Sequence, residues 1–89
     1  MNAVNEPDTF IATVTNEERS FELDMELPSG MPVSELCQQI LMILKDIHEE
    51  MFTNWNKCRL EYSSRILKDD DTLVKAGAFD GSRLVVLEG

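Results

Sequence analysis

The chain has one histidine, two cysteines and only eight basic residues against seventeen acidic ones, and each shortage removes a class of function. A formal charge of −9 makes a surface that repels phosphate backbones, so nucleic acid is excluded as a partner. Cys37 and Cys58 are too few for a disulfide framework and too far apart for a zinc or iron–sulfur motif. They read as reduced thiols in small core positions, ahead of any redox or metal role. His48 has no serine, cysteine or acid at a catalytic spacing, and reads as a solvated residue near a helix C-terminus. Asp69-Asp70-Asp71 lacks the alternating ligands, the glycine and the late glutamate of a calcium loop, so its side chains, with that of Thr72, read as helix caps. There is no glycine-rich phosphate loop. No metal, cofactor or enzymatic activity is expected. No apolar run approaches the roughly 20 residues that span a membrane. The opening MNAVNEPDTF has neither the basic region nor the apolar segment of a signal peptide. A cytosolic location without membrane insertion is therefore expected.

What is present is a well-patterned small domain. Apolar residues make up 43% of 89, enough for one modest core. Residues 1–8 are polar and aperiodic and are expected to be a flexible tail, leaving 9–89 as the folded unit. Thr9 to Thr15 is β-branched and aromatic, a strand. Asn16-Glu17-Glu18-Arg19 is a turn. Phe21, Leu23, Met25 and Leu27 alternate with Glu22, Asp24 and Glu26, giving a second strand with one apolar and one acidic face. Pro28-Ser29-Gly30 breaks that pattern, and Pro32 suits the first turn of a helix. Val33, Leu36, Cys37, Ile40, Leu44, Ile47 and Met51 recur at spacings of three and four, which predicts a helix of roughly 18–20 residues, its stripe widened by Leu41 and Ile43. Trp55 follows and either covers the helix end or anchors a partner. Cys58, Leu60 and Tyr62 alternate with Arg59 and Glu61 in a third strand. Ser63-Ser64 turns the chain into a stub at Arg65-Ile66-Leu67. Leu73 to Ala76 fits one helical turn stopped by Gly77, Asp80-Gly81 is a tight turn, and Ser82 to Leu87 is the last strand.

Strand, strand, helix, strand, short strand, one-turn helix, strand is the order of the β-grasp, an α+β arrangement. In it the first and last strands lie parallel at the centre of a mixed sheet and the long helix packs on one face. Each long strand has a single apolar face, as that sheet requires.

The segment from Cys58 onward resembles the C-terminal half of ubiquitin, without a gap. A narrower resemblance is to the YukD-type ubiquitin-like proteins of Gram-positive type VII secretion. It rests on the long helix followed by Trp55, on the Gly81-Ser82-Arg83-Leu84 entry to the last strand, and on a chain that stops almost where that strand stops. This resemblance implies a cytosolic, non-catalytic accessory or regulatory component that binds other proteins, with membrane-bound parts of the machine as partners. Conjugation needs an extended tail ending Gly-Gly. Here the end is Val86-Leu87-Glu88-Gly89, so a modifier or sulfur carrier acting through Gly89 is the weaker alternative. Glu61 matches the central apolar position of ubiquitin's recognition patch, Leu87 another patch position, and Arg65 a chain-linking lysine.

The β-grasp order also predicts where a partner binds. The outward sheet face should run from Glu22, Asp24 and Glu26 across Ile11, Val85 and Leu87 to Lys57 and Arg59. That is an acidic edge, a small apolar middle and a basic edge, able to orient one protein partner.

Overall fold

A computed structural model describes residues 8–89, so the expected tail falls almost wholly outside the described residues. Strands β1 (Thr9–Asn16) and β2 (Glu22–Pro28) pair antiparallel, with Ile11 opposite Glu26 and Thr13 opposite Asp24. Asn16 holds the turn between them. Its carbonyl accepts the Arg19 N–H at 3.0 Å and its side-chain oxygen accepts the Ser20 N–H at 2.9 Å. Those bonds hold Arg19 at φ 57°, a left-handed backbone that is unfavourable for a residue with a Cβ.

Helix α1 (Val33–Ile47) opens after Pro32, which offers no side-chain cap. Its first free N–H groups are satisfied from across the fold. Val33 donates to the Asp71 carbonyl at 2.8 Å and Ser34 to the Asp69 carbonyl at 3.0 Å. The acidic run therefore caps α1 through its backbone. The cap of the short helix α3 (Leu73–Ala76) is the Thr72 side chain, which accepts the Lys75 N–H at 3.1 Å.

The long helix is shorter than its apolar stripe predicts. His48 leaves helical geometry at φ −124°, ψ 61°, and a separate turn, α2 (Glu49–Phe52), follows. Packing is the reason. An unbroken helix would turn Met51 to the core, on the same face as the fully buried Ile40 and Leu44. The break instead leaves Met51 41% exposed and buries Phe52 completely. Phe52 meets Phe21 edge-on at 5.8 Å and Trp55 at 4.8 Å, while the His48 ring lies 5.0 Å from Phe21. His48 is thus a half-buried residue at a helix break rather than a solvated helical one, and half-buried Trp55 covers the helix end against the core.

Strand β3 (Cys58–Tyr62) turns at Ser63 and Ser64, both at positive φ, into β4 (Arg65–Ile66). Gly77, at φ 87°, ends α3 in the left-handed conformation expected of a helix C-terminus. Strand β5 (Arg83–Glu88) follows the turn at Gly81. The sheet order is β2-β1-β5-β3-β4, with β1 and β5 parallel at the centre and every other neighbouring pair antiparallel. Between helix and sheet lie Met25, Leu27, Leu36, Ile40, Leu44, Leu60, Leu67, Leu84 and Val86, all buried, with Leu23 packed half-buried at the margin. This is the expected α+β ubiquitin-like sheet with a helix on one face.

Candidate functional site

The face of the sheet turned away from α1 is laid out by strand register. Asp24, Thr13 and Arg83 form one row, and Glu22, Thr15, Val85, Glu61 and Ile66 form the next. Leu87 lies beside Arg59 one step further on, and Lys57 flanks the last residue, Gly89, whose N–H donates to the Lys57 carbonyl at 3.1 Å. Val85 and Leu87 are half-buried, while Lys57 and Arg59 are exposed. Ile11 is 53% exposed but stands four residues before Thr15 on β1, roughly 13 Å from the Val85 row. It sits instead against the 79–82 turn, where its N–H donates to Asp80 Oδ1 at 2.9 Å and its carbonyl accepts the Gly81 N–H at 2.8 Å.

The acidic edge is ordered by residues that the strand pattern does not mark. Glu26 accepts the Thr9 hydroxyl at 2.8 Å, Asp24 accepts the Thr13 hydroxyl at 2.8 Å, and Glu22 pairs with Arg83 at 2.6 Å. Arg83 is the residue most readily missed. It occupies an outward position in β5 and carries positive charge into the apolar middle, separating Ile11 from Val85. Only register, which fixes Thr13 beside Arg83, reveals this. The ion pair is about half exposed on both sides, so it orients side chains more than it stabilises the fold. Neither Lys57 nor Arg59 joins an ion pair among the described residues.

A second surface carries more exposed apolar area. On α1 Met42 is 71% exposed and Ile43 38%, beside Lys45 and Asp46, and Ile47 is 51% exposed further along, beside Met51 of α2. The interior holds a further arrangement. Cys37 on α1 and Cys58 on β3 meet, the Cys58 thiol lying 3.4 Å from the Cys37 carbonyl oxygen. The hydrogen bond from Cys58 holds the Cys37 thiol below its usual range, against the opposing effect of burial. The Cys58 thiol is correspondingly pushed up, first by that bond and then by burial.

No group of three or more histidine, cysteine or acidic residues able to hold a metal occurs among the described residues. No helix among them is long and apolar enough to cross a membrane.

Comparisons with known proteins agree with this geometry. No curated protein sequence matches the chain. The ubiquitin-like domain of the Mycobacterium tuberculosis type VII secretion system protein EccD1 superposes with a TM-score of 0.72 at 25% identity, covering 89% of this chain and 97% of that one. The EccD5 ubiquitin-like domain from Mycobacterium xenopi gives 0.73 at 16% identity over 93% and 99% of the two chains. A component of the ESX-5 inner membrane complex gives 0.73 at 19% identity, with 91% of this chain matching 21% of that larger one. The model of the family described as the WXG100 protein secretion system protein YukD matches residues 11–86. The chain belongs to the YukD family of ubiquitin-like proteins of the WXG100, or type VII, secretion system.

Proposed function

We propose that this chain is a non-catalytic protein-binding subunit of a type VII secretion system, working on the cytosolic side and docking a component of the membrane-bound machine. The observation that carries the reading is the family match over nearly the whole folded domain. It is supported by the likeness to a chain of an inner membrane complex, most of which lies outside the matched ubiquitin-like portion. The domain is proposed to act through the outward sheet face, with Val85 and Leu87 as the apolar centre, Lys57 and Arg59 on one flank and Glu22 and Asp24 on the other. Ile11 adds a separate apolar contact near the 79–82 turn. Charges of both signs around a small apolar centre set orientation more than affinity.

The test is co-purification of the native partner and export of small WXG-type substrates, with folding checked by thermal melt. Val85→Asp combined with Leu87→Asp is expected to abolish both. Lys57→Glu with Arg59→Glu is expected to weaken capture in a salt-dependent way. A second reading, with docking on α1, is supported by the exposure of Met42 and Ile47. Met42→Asp with Ile47→Asp separates the two. If that pair abolishes capture while the folded sheet-face variants behave as wild type, the helix is the site.

A further inference from the structure

Cys37 and Cys58 are the only two cysteines of the chain, and the fold brings them together from different elements and different layers. Each is 7% exposed, so neither is sealed from solvent. Both line one surface cavity of about 380 Å³, with Ser34, Asn56 and Lys57 around them. The Cys58 thiol donates to the Cys37 carbonyl oxygen at 3.4 Å, so the two side chains stand side by side between helix and strand. Buried structural cysteines that serve only as small apolar residues need neither a partner thiol nor a cavity. We propose that Cys37 and Cys58 form a closable thiol pair, oxidised by a small hydroperoxide to a disulfide that clamps α1 to β3.

The chemistry balances in two steps. Cys37 is the attacking group, since the hydrogen bond from Cys58 favours its thiolate. Its sulfur displaces water from hydrogen peroxide, the O–O bond breaks, and Cys37 becomes a sulfenic acid. The Cys58 sulfur then attacks the Cys37 sulfur, the S–O bond breaks, and a second water leaves carrying the Cys58 proton. Two thiols are oxidised and one peroxide is reduced to two waters. The cavity admits a molecule of that size, whereas a bulky disulfide oxidant would have to enter past residues that leave little sulfur exposed. The bond would close a loop of about twenty residues between helix and strand, a constraint that stabilises through the unfolded chain.

The experiment uses the reduced full chain treated with hydrogen peroxide under native conditions. The expected product is a monomer lighter by two hydrogens, with no thiol left to alkylate after denaturation and a Tm raised by roughly 5–15 °C, reversed by dithiothreitol. Dimedone, which traps sulfenic acids, should label Cys58→Ala at Cys37 but leave wild type unlabelled, because Cys58 resolves the intermediate. Because the wild-type chain itself gives the mass and thiol readout, the test survives an unstable variant. Two alkylatable thiols remaining after treatment, disulfide-linked dimers as the product, or dimedone labelling of wild type equal to that of Cys58→Ala would each overturn the proposal.

Discussion

At the scale of single residues, burial parity decides what a substitution does. Ile40 and Leu84 are fully buried on opposite sides of the core. Either changed to alanine is expected to destabilise by about 2–5 kcal/mol, read as a lowered urea midpoint at an unchanged slope. Asn16 is 8% exposed and makes the two bonds that hold Arg19 and Ser20 in place. Asn16→Ala keeps the backbone carbonyl that accepts from Arg19 but leaves the Ser20 N–H without its side-chain acceptor, and should cost about 1–3 kcal/mol by the same measurement; an unchanged midpoint would mean that water replaces the side chain at no loss. Which residues face inward was legible from alternation, because a strand reverses side chains at every step. Which residues meet was not. Cys37 and Cys58 each read correctly as buried, yet their contact depends on where α1 crosses β3, and no local period encodes a crossing.

At the scale of elements, the break at His48 separates two readings of one stretch of sequence. A continuous helix makes Met51 a core residue and Phe52 a surface one, and the structure reverses them. Phe52→Ala is accordingly expected to destabilise by about 3–5 kcal/mol, while Met51→Ala should stay within roughly 0.5 kcal/mol. Chemical denaturation of both variants checks this, and equal losses would argue for an unbroken helix in solution. The shift was illegible because Ile47, His48 and Met51 all fit a helical stripe. Only the aromatic cluster of Phe21, Phe52 and Trp55 selects the kinked path. The short helix was easier to read. Thr72, Leu73 and Gly77 stand at cap, core and stop, and each does what its chemistry suggests. Thr72→Ala removes the cap of the Lys75 N–H and should lower Tm by roughly 4–8 °C, corresponding to about 1 kcal/mol.

At the scale of the whole molecule, the strand order was legible because the succession of elements admits few unknotted sheets. The outward face was legible only in outline. Charge type on each edge follows from sequence, but the intrusion of Arg83 beside Thr13 follows from register between strands that are remote in the chain. That register also determines how the molecule is made. In the sheet of the described residues, strand β5 alone joins the β1–β2 hairpin to the β3–β4 ribbon. While a ribosome is still adding residues before Arg83, these are two separate two-stranded pieces, each too small to hold together in water. The nascent chain therefore has no sheet to commit to until its last strand arrives and slides between two exposed edges. Closure of this kind, across almost the full length of the domain, makes for slow folding relative to a helical bundle of equal size. It also leaves a window in which the waiting edges of β1 and β3 are open to chaperones or to one another.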